Sequence, residues 1–173
     1  MNTIRKIIRA FKAPVPLFDR ILEIVALVLL IAMSFFTAYL YQQAPDEIVI
    51  KYGVNGVPID WAGRAMLWYM SIFFTVMMLC SAASAYDVKM RFTHVPFRLK
   101  EPVKAMQLRW ISRMGRCITI CMGLMWLSYL LHTAASFMDI PAAASVCSKA
   151  TLFLMLAVII YYSVKSWWVG RRY

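Results

Sequence analysis

The sequence predicts an all-α, polytopic membrane protein of four transmembrane helices, preceded by an N-terminal interfacial amphipathic helix. Composition is the first of three supporting observations. Of the 173 residues, 62% are hydrophobic and only 16% charged, against about 45–50% and about 25% in soluble domains. Mean hydropathy is +0.67. So little polar sequence cannot cover a water-facing surface, which excludes an ordinary soluble enzyme, and composition likewise excludes disorder and a disulfide-stapled secreted domain. The second observation is the length of the gaps between charges, and the third is an alternation of Lys and Arg between loops. The whole chain reads as a single membrane domain, 1–173.

Residues 4–12 place Ile4, Ile7, Ile8 and Phe11 on one helical face and Arg5, Lys6, Arg9 and Lys12 on the other. This is the pattern of a short helix lying in the membrane interface. Pro14 and Pro16 separate it from the first span.

Uncharged runs of 22 residues extend over 24–45, 65–86 and 117–138. About 20 apolar residues cross a hydrocarbon core of about 30 Å, so each run suffices. The spans are read as about 20–43, 65–86 and 115–138, with the third helix beginning near residue 102, ahead of its span. A fourth run has only 15 uncharged residues, between Lys149 and Lys165. Both lysines sit near the ends, where they can snorkel, and Trp167 and Trp168 come next, at headgroup level. The fourth span is therefore read as about 147–169. The first span is too long for a signal-peptide core and lacks a small-x-small cleavage site, so it is read as uncleaved.

Lys and Arg set the orientation. Five lie in the N-terminal tail and eight in the second loop, 87–114 extended to Arg116. The first loop has only Lys51 and Arg64, the third has Lys149, and the tail after the fourth span has Lys165, Arg171 and Arg172. The expected topology is both termini and the 87–114 loop cytoplasmic, in a bacterial inner membrane. The net charge of +11 is then a consequence of topology. It points to anionic headgroups on the cytoplasmic side and not to nucleic acid.

The outer loop, 44–64, reads APDEIVIKYGVNGVPIDWAGR. Ile48, Val49 and Ile50 are β-branched, so Ile48–Tyr52 is expected to form a short strand, with turns at Gly53, Gly56, Pro58 and Gly63. Loops carry function more often than spans do, and this is the largest outer segment.

On this loop the chain resembles the small membrane domain of unknown function at the N-terminus of SdpI-type bacterial immunity and signalling proteins. Pro45 and Ile48 fit the opening of that pattern, Tyr52 an aromatic position, Gly56 and Pro58 the central turn, Trp61 the late aromatic and Arg64 the closing basic residue. Val49 replaces a second proline, and Lys51 stands where the family usually has His. Ile59 and Ala62 stand at the usual Asp and Gly, with Asp60 and Gly63 adjacent. A role that needs the His is not carried over. The resemblance implies immunity or signalling; recognition through the loop, expected on its own grounds, would rest on Tyr52 and Trp61 as apolar anchors, with Asp60 and Arg64 setting charge and turn geometry.

Catalysis needs titratable groups converging in a cleft, and the spans hold few. Glu23 and Lys165 lie near the cytoplasmic ends, Asp139 and Lys149 near the outer ends, and His132 in the third span. Intramembrane ionisable groups are functional candidates by default. Here structural pairing, Glu23 with Lys165 and Asp139 with Lys149, is weighed above transport. His132 is read as a hydrogen-bonded core residue. A bis-His haem is excluded, because His94 falls on the other side. Cys117 and Cys121 share a helix face with Met125, a soft-ligand stripe that copper(I) would suit, but without a partner cluster all four cysteines are read as reduced and structural. No cofactor and no enzymatic activity are expected. Small residues 80–85, 134–136 and 142–145 mark close helix contacts. The expected function is a non-enzymatic recognition protein. An accessory subunit of a larger complex is the alternative and a small transporter the third. A protein partner or a homo-oligomer remains open.

Overall fold

In the computed structural model, the described residues are 16–52, 57–86, 104–138 and 143–171. Four long helices and one hairpin make up this part of the chain. The expected helix at 4–12, most of the 87–114 loop, Gly56 and Asp139 lie outside it.

Helix α1 covers Leu17–Gln43. It starts where Pro16, which cannot continue a helix backwards, offers its carbonyl to the Asp19 and Arg20 amides at 2.9 and 3.1 Å. It stops because Ala44 precedes Pro45, and a residue before proline is pushed out of the helical region; Ala44 is extended, at φ −69° and ψ 136°. Strands β1 (Glu47–Tyr52) and β2 (Pro58–Gly63) come next, as an antiparallel pair. Helix α2 covers Met66–Ser84, α3 Lys104–Ala134 and α4 Ala143–Arg171. Each of the four is long and apolar enough to cross a membrane. The chain is a multi-pass membrane protein.

α1 and α3 run in parallel from the end rich in Lys and Arg, here the basic end, towards the hairpin; α2 and α4 run back. The central element is α3, which packs against each of the other three helices. Its sequence explains this. Gly115, Thr119, Gly123 and Ser128 keep its surface low, and backbones approach where side chains are small. A β-carbon on Gly115 would stand 3.2 Å from the Ala85 backbone, and one on Gly123 would stand 3.3 Å from Leu29 and Met78. Ser81 and Thr119 hydroxyls meet at 2.9 Å. The small-residue run at 80–85 is therefore a contact with α3. α4 is attached to α3 through Gln107, whose Nε2 donates to the Ser166 carbonyl at 3.3 Å, while Ser166 Oγ donates back to the Gln107 carbonyl at 3.5 Å.

The apolar core sits at the hairpin end. Leu40, Ile48, Leu67, Leu130 and Ala134 are fully buried together, which joins β1 to α1, α2 and α3. Below them, towards the basic end, Phe74 stacks on Trp126 with ring centres 6.3 Å apart and planes 8° from parallel. The Thr37 hydroxyl on α1 and the Ser71 hydroxyl on α2 stand 2.9 Å apart, each also within reach of the carbonyl one turn back on its own helix, so that one donates across while the other donates to its own helix. Small hydroxyls of this kind hold membrane helices together without leaving a polar atom in hydrocarbon.

Candidate functional site

Two regions concentrate polar and aromatic groups, one at each end of the bundle. The first is the hairpin. Ile48 and Val49 of β1 are both buried, at 0% and 2% exposure, so this strand is fixed to the helix ends. β2 is the opposite: Pro58, Ile59, Asp60, Trp61 and Gly63 are exposed, and only Ala62 is half-buried. The strands start in register, with Glu47 opposite Gly63, Ile48 opposite Ala62 and Val49 opposite Trp61. The pairing then slips, Lys51 standing opposite Asp60 and Tyr52 opposite Pro58. One extra residue on each strand, Ile50 and then Ile59, makes a bulge, and bulges re-aim side chains. Trp61 and Ile59, 55% and 61% exposed, stand outward on a strand whose partner is anchored by the buried Ile48 and Val49.

The base of the hairpin is closed by Arg64. Its backbone N–H donates to the Asp46 carbonyl at 3.0 Å, its guanidinium stands 3.7 Å from the Asp46 carboxylate, and it lies over the Tyr41 ring at 5.3 Å. Asp60 accepts a bond from the Trp61 N–H at 3.0 Å, a local turn-type contact. Of the expected loop residues, Ile48 turns out to be core and Pro58, Asp60, Trp61, Gly63 and Arg64 surface. Pro45 ends α1. Pro58, expected in a turn, instead opens β2, a strand that β-branching does not announce.

The second region, at the basic end, is an ion network. Asp19 and Glu23 lie one turn apart on α1, and Arg113 and Arg116 nearly one turn apart on α3. Because the two helices are parallel, the pairs match in order. Arg113 Nε donates to Asp19 at 2.7 Å, and Arg116 Nε to Glu23 at 2.8 Å. The Tyr86 hydroxyl, just beyond α2, donates to the same Glu23 oxygen. Arg116 also donates to Ser112 Oγ at 2.6 Å, and Ser112 in turn to the Ala85 carbonyl at 2.5 Å. The Asp19 and Arg116 side chains are almost wholly buried, at 4% and 7% exposure, while Arg113 and Glu23 are 20% and 32% exposed. Two carboxylates face two guanidiniums, so the network is neutral.

This corrects the expected Glu23–Lys165 pair. Glu23 meets Arg116 because α1 packs on α3. Lys165, on α4, instead lies over the rings of Trp110 and Trp168 at 5.8 and 5.9 Å. Lys149 and Asp139 side chains fall outside the described residues, so the second expected pair does too. His132 sits in the last turn of α3. Cys117 Sγ donates to the Tyr162 hydroxyl at 3.7 Å, Cys121 is buried and Cys80 exposed. Asp19, Arg113 and Arg116 are not among the expected site residues, although acids spaced i, i+4 and arginines spaced i, i+3 are a readable signal.

No curated protein and no solved structure matches the chain. Residues 28–79, which include most of α1, the hairpin and most of α2, match the family model described as Domain of unknown function (DUF1648).

Proposed function

We propose that the chain is a non-enzymatic recognition protein of the bacterial inner membrane, and that residues 45–64 are its recognition surface. One observation carries the reading: β1 is anchored by Ile48 and Val49, so that β2 holds Ile59, Asp60 and Trp61 exposed on a fixed support. Exposed aromatic residues on a rigid element are good anchors for a partner. The low Lys and Arg content of this loop, against the basic opposite end, favours an extracytoplasmic hairpin and cytoplasmic termini. The resemblance to SdpI-type proteins supports immunity or signalling as the process served.

The test is affinity purification of the tagged chain from its host membranes in mild detergent, with wild-type, Trp61→Ala and Asp60→Ala forms compared. Loss of a co-purifying protein from both variants, with unchanged yield of the chain, supports recognition by the hairpin. A stoichiometric membrane partner retained by both variants supports the second reading, an accessory subunit.

A further inference from the structure

Side-chain hydrogen bonds tie α1 to α2 and to the turn that follows it. Towards the hairpin the tie is between Thr37 and Ser71, and at the basic end between Glu23 and Tyr86. The interval is a groove of about 430 Å³ with α3 as its floor. This is within the range of ligand-sized clefts, about 300–1,000 Å³. Ala26 on one wall and Ala82 on the other leave the space, with Leu22, Leu30 and Met78 completing an apolar lining. Leu27 and Leu79, both 56% exposed, form the outer rims, so the groove opens sideways, where a membrane protein meets lipid.

The groove has a direction. Its charged groups, Glu23 and Arg116, lie at the basic end with Tyr86, and the one polar group further in, Thr119, has its hydroxyl bonded to the Gly115 carbonyl. From Glu23 to the end of α1 at Gln43 is 20 residues, about 30 Å at the helical rise, which is the thickness of the hydrocarbon core. Glu23 is therefore at headgroup level, and the apolar stretch from Leu22 to Leu30 runs from there towards the membrane centre. A lipid of that leaflet has the same polarity, head at the boundary and tail inward. The charge available at the mouth is also specific. Arg116 is occupied by Glu23, Ser112 and the Tyr86 ring and is almost buried, whereas the Glu23 side chain keeps a third of its surface open.

We propose that this groove takes one acyl chain of a phospholipid whose headgroup carries a primary ammonium, and that the Glu23 carboxylate receives that ammonium. The basic flanks attract anionic lipids in general; the groove selects differently, because the ion pair at its mouth is neutral and the part of it left open is a hydrogen-bond acceptor, the Glu23 carboxylate. A primary ammonium donates hydrogen bonds to a carboxylate, which a quaternary ammonium cannot.

The experiment is native mass spectrometry of the full chain in mild detergent, titrated with phosphatidylethanolamine, phosphatidylcholine and phosphatidylglycerol of equal chain length. One phosphatidylethanolamine is expected to remain bound per chain, with about tenfold preference over the other two, the factor that one charge-assisted hydrogen bond supplies. Glu23→Gln should reduce that preference to about twofold or less. Ala26→Leu fills the groove and should abolish retention of the lipid while circular dichroism stays unchanged; Ala82→Leu does the same from the other wall if the first variant does not fold. Equal binding of all three lipids, a preference for phosphatidylglycerol, retention by both filled variants, or self-association with no lipid retained would each overturn the proposal.

Discussion

At the hairpin end Leu40, Ile48, Leu67 and Leu130 are completely buried and close on one another, whereas at the basic end Asp19, Glu23, Arg113 and Arg116 are held by charge-assisted hydrogen bonds. Both ends join α1 to α3, so the comparison isolates the kind of interaction. Apolar side chains of a membrane bundle gain little from leaving lipid, and what they contribute is close packing. The buried charges contribute direction and register: a shift of α1 by one helical turn brings one carboxylate to the other's guanidinium and leaves the second carboxylate unmatched. Packing makes the hairpin a rigid support, and pairing makes the basic end selective for one arrangement of helices.

Substitutions at the two ends separate these contributions. Arg116→Leu leaves the Glu23 carboxylate uncompensated, and thermal unfolding in detergent should show a loss of about 3–5 kcal/mol. Leu at both Glu23 and Arg116 should lose much less than the sum of the single changes. An additive double variant would remove the distinction between the ends. Phe74→Ala, near the apolar end, should cost about 3 kcal/mol through the cavity left against Trp126, without salt dependence.

Gly115→Ala tests close approach on the basic side. Its β-carbon would stand 3.2 Å from the Ala85 backbone, and overpacking of this kind costs about 1–3 kcal/mol. Thr37→Val, towards the hairpin, removes the contact with Ser71 and should cost about 0.6 kcal/mol. Asp46→Asn is the smallest change. The Asp46–Arg64 pair is 3.7 Å long and exposed, so its loss should stay within about 0.5 kcal/mol and vanish in high salt.

The four helices are legible in the sequence because bilayer thickness leaves a direct mark, a run of uncharged residues of fixed length. The strand at Ile48–Tyr52 is legible from β-branching, and the contact at 80–85 from small side chains. β2 is not, because Pro58, Asp60 and Gly63 have turn chemistry, and only pairing with an anchored β1 keeps them extended. The ion network is hidden for a different reason. Arg113 and Arg116 count among the loop charges that set topology, and such a count treats every arginine as facing water. That Glu23 meets Arg116 and not Lys165 depends on which helices are neighbours, and the centrality of α3 rests on Gly115 and Gly123, two residues with no hydropathy signal of their own.

The spacing of the network along the chain has a consequence for biogenesis. Asp19 and Arg113 are 94 positions apart, and Glu23 and Arg116 are 93. At about 5–20 residues per second of synthesis, α1 waits about 5–20 s for the arginines that neutralise its two carboxylates. During that interval Asp19 and Glu23 lack the two guanidiniums that hold them in the folded bundle, and the arrival of α3 supplies both.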